Sequence, residues 1–368
     1  MNSNGKTPTI KQRNLARVIR PIFGGLVAVY LLWRLYEVFI VQAKYGPEVW
    51  SRLLISGLVI GAVYSLIAIG YTLVYGILLM INFAHGDIMM IGTYAGYFVF
   101  EALKAIGTPN AANPDLVFAD AYPALSIFIA FIVGMGVSAA TGYFLEKIAY
   151  RPLRNAPRLI PLISAIGAST FLQNTSLLLF SPQLRNYNNP EAMARGIGWK
   201  IDINGSAVTL SYTGVFTLIL SILLMFGLLY LVRRTRLGKA MRAVSLDKDT
   251  AALMGINVNQ TISNTFIISG MLAGAAGVMW GLHNGLVHNT VGFIPGIKAF
   301  TAAVLGGIGN IPGAMLGGMF LGLIESIGPT ALDISYQLKD VIAFAILISI
   351  LIFKPSGILG EVLAEEKV

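Results

Sequence analysis

Three chemically active side chains lie close together in the segment Met80–Met90. The sequence there, M-I-N-F-A-H-G-D-I-M-M, places an amide, an imidazole and a carboxylate at Asn82, His85 and Asp87, between two apolar runs. Polar groups within a membrane are costly and need partners, which favours a gate or the lining of a transport pathway. The alternative is a short polar turn at the membrane surface, with Asp87 capping the next helix. The residues by themselves leave both hypotheses open.

A second segment, Leu237–Asn257, predicts a short capped helix after a run of basic residues. Asp247 is placed to cap a helix over about 248–254, and Gly255 fits the left-handed position that ends such a helix. Its small apolar face suits insertion into a groove of another protein, although an ordinary amphipathic loop helix has the same spacing. The candidates for this contact are Asp247, Thr250, Ala251, Ala252, Met254 and Gly255.

The glycine-rich segment Lys298–Ala314 resembles a phosphate-binding loop only superficially. A P-loop requires G-x-x-x-x-G-K-[ST] after a strand, and this chain contains no such run. No catalytic constellation is evident either, so the sequence does not predict an enzyme. The segment instead adds further pathway or gate candidates, namely Thr301, Gly306, Gly307 and Asn310.

No metal or cofactor site is predicted. The chain has no cysteine, and His283 and His288 lie far from His85 in sequence and lack a ligand pattern. The absence of cysteine excludes disulfides and thiolate metal sites, and it carries little information about the cellular compartment.

Composition places these segments in a membrane protein. Of the 368 residues 56% are apolar and only 12% charged, whereas soluble domains have about 25% charged residues. The fold class predicted is all-α: a polytopic transmembrane bundle of about eight to ten helices, some of them broken. The apolar stretches fall at 21–41, 53–80, 88–106, 122–145, 159–181, 210–232, 262–282, 297–327 and 338–353.

Two of these stretches are too long for one simple span. Leu53–Ala84 contains no charge in 32 residues, so it should tilt, bend or continue as a broken helix. In 297–327 the sequence Gly309-Asn310-Ile311-Pro312 predicts a break, because proline removes a backbone donor and clashes within a helix.

Glycines also recur at four-residue spacing, which favours close helix packing in lipid, although glycine is common in membrane helices generally. The pairs are Gly92/Gly96, Gly270/Gly274, Gly313/Gly317 and Gly318/Gly322.

The net charge of +9 predicts an orientation rather than nucleic-acid binding, because Lys and Arg gather in short loops. Loops 146–158 and 233–248 are expected in the cytoplasm, loop 107–121 outside, and both termini inside. We divide the chain into a basic segment 1–48 with an extra hydrophobic helix, a membrane domain 49–360 with a cytoplasmic segment 233–260, and a cytoplasmic tail 361–368.

Several distinctive stretches occur in a fixed order along the chain, namely Tyr64–Gly76, Ile81–Asp87, Tyr150–Arg154, Leu162–Gly167, Met254–Asn257, Lys298–Gly318 and Pro355–Gly360. Together they resemble the permease subunit of bacterial high-affinity branched-chain amino acid ABC importers, in particular the first of its two paired permeases. Residues 1 to about 48 extend beyond the N-terminus expected for such a subunit.

The resemblance implies a multi-pass subunit of the bacterial inner membrane with several protein partners. These are a second homologous permease, two ATP-binding subunits that hydrolyse ATP, and an extracytoplasmic substrate-binding protein. It also implies that the segment around Asp247–Gly255 docks on an ATP-binding subunit. The substrate would be a branched-chain or other neutral amino acid, with urea or short amides as the alternative. A stand-alone secondary carrier would need coupling residues in the membrane, for which Asp87, Glu101, Glu325 and Asp340 are the candidates.

Overall fold

The computed structural model describes residues 25, 29–30, 32–41, 44–108, 116–154, 156–157, 159–194, 196–203, 205–354 and 356–360. Most of the predicted segment 1–48 and the whole predicted tail 361–368 therefore lie outside the described residues. The helices are α1 Pro47–Leu78, α2 His85–Lys104, α3 Pro123–Leu145, α4 Leu159–Phe180, α5 Tyr212–Arg234, α6 Arg236–Leu246, α7 Lys248–Leu253, α8 Val258–Asn284, α9 Phe293–Gly306, α10 Ile311–Ala331 and α11 Lys339–Phe353.

Shorter elements complete the described chain. Short helical turns are formed by Glu37–Val41, Phe118–Ala121, Glu146–Tyr150, Arg151–Leu153, Glu191–Met193 and Tyr336–Leu338. Two small antiparallel sheets pair strand β1 (Arg185–Asn186) with β4 (Leu286–Val287), and β2 (Gly198–Ile203) with β3 (Ser206–Ser211).

The predicted helical bundle is confirmed. In the described part of the chain six helices are long and apolar enough to cross a membrane, namely α1, α3, α4, α5, α8 and α10. Helix α2 and the shorter apolar helices α9 and α11 pack with them. Each apolar stretch predicted from residue 53 onward contains at least one of these helices. The sequence did not predict the β2–β3 hairpin, because its alternating pattern is short and lies within a long polar loop.

The break predicted near Gly309 is confirmed, whereas the long first stretch is one continuous helix only as far as Leu78, and residues 79–84 form a non-helical connection. Helix α9 ends at Gly306, and both Gly307 (φ +104°) and Gly309 (φ +96°) adopt left-handed conformations that favour glycine. Asn310 then caps α10, its side-chain oxygen accepting from the Gly313 amide at 3.2 Å. Helix α1 has no proline after its first turn and runs unbroken for 32 residues.

Helices α1 and α8 form the centre of the bundle, where glycines let backbones approach closely. The predicted tight packing is confirmed at Gly92, which lies against the Gly274 backbone, and at Gly318, which lies against the Ser65 backbone. Helices without a polar face can be surrounded by other helices, as α1 and α8 are, or by lipid.

We expect Gly322→Ala to destabilise the crossing of α1 with α10. A methyl group at Gly322 would overlap the Gly61 backbone, which cannot move aside as a side chain can. Overpacking of this kind costs about 1–3 kcal/mol. The measurement is thermal unfolding of the detergent-purified protein, with Gly227→Ala as control, because nothing lies within 4 Å of a methyl group there. Equal unfolding temperatures for both variants would contradict the close crossing.

The bundle has two chemically different ends. At the first, which we call the basic end, the loop after α3 meets the start of α8 through hydrogen bonds from Arg154 to Asn259 (2.6 Å) and from Arg151 to Ser263 (2.9 Å). At the opposite end, β1 pairs with β4, and Asn188 donates a hydrogen bond to Glu101.

Candidate functional site

The predicted polar triplet is buried in the protein rather than exposed in a turn. Asn82, His85 and Asp87 are each at most 1% exposed, which excludes the surface-turn alternative. Helix α2 begins at His85 without a side-chain cap, so the expectation that Asp87 caps it is wrong. No solute can touch these side chains in this conformation, and their part in a gate or pathway stays a prediction.

Each member of the triplet has a partner on another element. The Asn82 side-chain oxygen accepts a 2.6 Å hydrogen bond from the Tyr150 hydroxyl. The His85 Nδ1 atom lies 3.4 Å from the Ser269 hydroxyl, and the absence of a side chain at Gly70 leaves space for its ring.

Asp87 links α2 to α4 by hydrogen bonds. Its carboxylate accepts hydrogen bonds from the Ser169 hydroxyl at 2.5 Å and from the Gln173 amide at 3.0 Å. Both donors lie on one side of α4, one turn apart, so the carboxylate fixes how this helix is rotated about its axis.

We therefore expect Asp87→Ala to destabilise the protein by about 1.5–3 kcal/mol, the usual contribution of hydrogen bonds to a charged group. Ser169→Ala removes one of the same bonds, so its effect should be smaller in the Asp87→Ala background than in the parent chain. Thermal unfolding of the two single variants and the double variant measures this coupling. Strictly additive effects would show that the carboxylate does not act through Ser169.

The other pathway candidates build the break between α9 and α10. Thr301 is buried, and its hydroxyl donates back to the Ile297 carbonyl at 2.9 Å. Gly306 packs on Gly313, and the Asn310 amide donates to the Leu359 carbonyl at 2.8 Å. A turn near the described C-terminus closes over this break, with the Ile358 and Leu359 amides donating to the carbonyls of Leu305 and Gly306, and Gly307 lies against Gly360.

A buried charge network that sequence reasoning found only in part joins α9, α10 and α11. Lys298 and Glu325, each at most 3% exposed, form a 2.8 Å ion pair. Lys298 also pairs with Asp340 at 2.6 Å, and Lys339 pairs with Glu325 at 3.0 Å. The hydroxyl of Tyr64 on α1 donates to Glu325 at 2.9 Å. Charged residues within apolar stretches were the available signal, but their spacing along the chain does not reveal the pairing.

The predicted short helix is confirmed at the basic end. Helix α7 is capped by Asp247, whose carboxylate accepts from the backbone amides of Asp249 (2.9 Å) and Thr250 (3.1 Å). Gly255 follows it with φ +82°, the predicted left-handed position.

The cap holds across the neutral pH range. Hydrogen bonds from the Thr250 hydroxyl and backbone amide lower the pKa of the Asp247 carboxyl below its usual value. A depressed carboxyl pKa stabilises the folded form above the unfolded pKa, and that stabilisation is lost only as pH falls through the folded value.

The exposed face of α7 differs from the predicted one. Ala251 is buried against the protein and cannot contact a partner, whereas Ala252 is exposed as expected. The largest apolar groups that point outward are Leu253 at 88% and Met254 at 79% exposure, with Leu246 at 88% just before the cap. Their exposure depends on how α6 and α7 pack, so spacing alone could not separate Ala251 from Leu253.

Side-chain contacts at the basic end fix the start of α8, the helix that follows α7. Glu146 is fully buried and binds Arg154 and Arg151, the latter at 3.3 Å, while it accepts a 2.7 Å hydrogen bond from Ser263 at the start of α8. Asn257 caps α8 by accepting from the Gln260 amide at 3.0 Å. The chain that leaves α7 therefore enters a helix whose first turns are held by the loop after α3.

Comparisons with known proteins agree with this architecture. A family model described as the permease component of branched-chain amino acid transport systems matches residues 53–351. The chain is 45% identical over 318 residues to the high-affinity branched-chain amino acid transport system permease protein BraD of Pseudomonas aeruginosa, which covers 86% of this chain and 98% of that protein.

Two further relatives extend the similarity. The permease protein LivH of Escherichia coli is 40% identical over 309 residues, covering 83% of this chain and 94% of LivH. A probable LivH of Methanocaldococcus jannaschii is 28% identical over 330 residues, covering 86% of this chain and 91% of that protein. No solved structure gives a significant match to the chain.

Proposed function

Because the chain belongs to the family of permease components of branched-chain amino acid transport systems, we propose that it is the membrane-spanning subunit of an ABC importer for branched-chain amino acids. It forms part of the translocation pathway, and ATP hydrolysis takes place on a partner subunit. It is a transporter subunit in the membrane and not itself an enzyme.

The observation that carries the mechanism is the exposed apolar face of α7. Leu253 and Met254 project from the end of a short helix that is capped at Asp247, and α8 follows with its start bound by Glu146 through Ser263. Such a face fits a groove on an ATP-binding subunit, where burial of each large side chain contributes about 1.5–3 kcal/mol. Closure of two such subunits on ATP favours one facing state of the permease by binding it more tightly.

The distribution of charge supports an orientation. By the positive-inside rule the basic end faces the cytoplasm, so α7 lies where ATP-binding subunits are found. Residues Ile358 and Leu359 bind the α9–α10 break, and Gly309 of that break lines a cavity of about 120 Å³ together with Met241 and Arg242 of the basic end. This supports a cytoplasmic C-terminus with the tail 361–368, and an even number of crossings would place segment 1–48 and the N-terminus inside.

The opposite end then faces the substrate-binding protein. Together with a second homologous permease and two ATP-binding subunits, this gives the complete transporter. Residues 49–360 form the permease domain, and the segment 233–260 is its contact with the ATP-binding subunit. Asp247, Thr250 and Gly255 shape that contact, and Ala252 and Met254 take part in it.

A stand-alone carrier is not favoured, because its coupling carboxylates are all engaged. Asp87 accepts from Ser169 and Gln173, Glu101 accepts from Asn188, and Glu325 and Asp340 belong to the buried charge network. BraD and the two LivH proteins are named for the transport of branched-chain amino acids, which favours these substrates over urea or amides.

The proposal is tested by isolating the chain from its own membranes in mild detergent and identifying the proteins that accompany it. We expect ATP-binding subunits and a second permease, and ATP-dependent L-leucine uptake once the complex and the binding protein are placed in liposomes. Isolation of the chain alone, with leucine uptake that needs no ATP, would refute the importer assignment.

A further inference from the structure

Helix α4 presents polar side chains near its middle on a face that the described chain leaves open. Thr170 and Asn174 lie one turn apart, and both are exposed. Thr170 is at the centre of the helix Leu159–Phe180, which is long and apolar enough to cross a membrane. At about 1.5 Å per residue this helix is roughly 33 Å long, so both side chains lie within the ~30 Å hydrocarbon layer.

Contact with lipid does not suit these two groups. The Asn174 amide donates one hydrogen bond, to the Thr170 carbonyl at 2.8 Å, and the Thr170 hydroxyl donates to the Ile166 carbonyl at 3.1 Å. Within the described residues the rest of the Asn174 amide has no partner. A polar group without a partner in hydrocarbon costs several kcal/mol, so this face meets water or another polar surface.

Helix α5 shows what a lipid-facing surface of this chain looks like. It has a similar length and is likewise largely exposed, yet near its middle it presents Leu223 and Phe226. The exposed amide and hydroxyl near the middle of α4 therefore have no counterpart at the middle of the exposed face of α5.

The rotation that directs this face outward is fixed from behind. Ser169 and Gln173, on the other side of α4, bind the buried Asp87 carboxylate. Turning Thr170 and Asn174 inward would break both of these hydrogen bonds and expose an unpaired carboxylate.

We propose that the α4 face centred on Thr170 and Asn174 is a wall of the translocation pathway. This face contacts water and the zwitterionic amino acid that passes. This inference rests on the proposed importer function and names its pathway residues. Neutral donors and acceptors replace water around the ammonium and carboxylate groups of the amino acid. Because α4 carries no charge, it does not bind the amino acid too tightly to release it. The exposed Ile166 and Phe171 beside them offer contact to an apolar side chain.

The natural absence of cysteine allows a direct test in the full complex. Single variants Thr170→Cys, Asn174→Cys and Leu223→Cys are placed in liposomes with their partners and treated with the charged thiol reagent 2-sulfonatoethyl methanethiosulfonate. The reagent reacts with thiolates, which form in water and are suppressed in hydrocarbon by a raised pKa, so a shift of about one unit changes the rate about tenfold. We expect the two α4 cysteines to react at least about tenfold faster than Leu223→Cys, and L-leucine uptake to fall as they react.

Reaction at the α4 positions no faster than at Leu223→Cys would overturn the wall assignment, since it is the result for a face sealed against another helix. A second pair of variants gives an independent result: Asn174→Leu should lower the rate of L-leucine uptake, while Asn174→Gln should retain most of it. Equal uptake by these two variants also overturns the assignment. Failure of the unmodified complex to transport L-leucine would instead refute the importer function, so the two failures are distinguishable.

Discussion

Leu253→Asp is expected to abolish ATP-driven L-leucine uptake while leaving the protein folded in the membrane. Leu253 is 88% exposed at the end of α7, so the substitution removes no internal contact. In the complex it replaces a buried leucine, a loss of about 1.5–3 kcal/mol, and it adds the penalty of desolvating a carboxylate. Since about 1.4 kcal/mol is a tenfold change in affinity, docking of the ATP-binding subunit should weaken at least about tenfold.

The measurements are co-purification of the ATP-binding subunit and initial uptake rates in liposomes. Lys239→Ala is the matched control, because it changes an exposed residue of the neighbouring α6 and removes no apolar contact. Ala252→Glu should act in the same direction as Leu253→Asp. Normal uptake by both variants would show that α7 is not the docking helix.

Glu325→Ala is expected to cause the largest loss of stability of any single change in the membrane domain. Glu325 is 2% exposed and pairs with Lys298 and Lys339, while Tyr64 donates to its second oxygen. Removing one partner of a buried ion pair costs about 3–5 kcal/mol, and here it leaves the buried Lys298 with only the more exposed Asp340 as a charged partner. Thermal unfolding followed by size-exclusion chromatography in detergent measures the effect.

A double variant separates the penalty of an unpaired charge from simple loss of packing. Lys298→Met combined with Glu325→Leu removes one charge of each sign and leaves the more exposed Lys339 and Asp340. We expect the double variant to be more stable than Glu325→Ala, because two apolar side chains replace a buried pair at little net loss. A double variant less stable than Glu325→Ala would show that the ion pair itself is a net source of stability.

The buried network also connects helices that the glycine break separates. It links α9, which precedes the glycine break, to α10 and α11, which follow it, and also to α1. The turn near Leu359 covers the break itself. The network and the turn thus hold the two halves of the broken helix at different places, and the turn supplies the protein cover that irregular backbone needs in a membrane.

The local conformations that the sequence predicted correctly depend on near neighbours along the chain. The break at Gly309 and Pro312 follows from backbone sterics, and the cap at Asp247 with the left-handed Gly255 follows from hydrogen bonds within a few residues. The number and position of apolar helices follow from the length of a bilayer crossing. Each of these is a property of a short stretch, so a linear sequence contains it.

The assignment of pathway residues depended on contacts between distant parts of the chain. Polar groups in apolar runs made Asn82, His85 and Asp87 candidates for a gate, and the fold buries them in contact with Tyr150, Ser269 and Ser169, which the spacing along the chain could not show. The sequence did not indicate Thr170 and Asn174 as pathway residues, because polar side chains occur in many helices. Only the packing shows that these two side chains are exposed.

The sequence by itself determined the membrane class, the family, the helical stretches and the short capped helix at the basic end. Tertiary structure alone decided which side chains face outward: it buried Ala251, exposed Leu253, paired Lys298 with Glu325, and rotated α4 through Asp87. The physical reason is that helix formation and membrane insertion are local free energies summed along the chain. The direction of each face is instead set by packing between helices that are far apart in sequence.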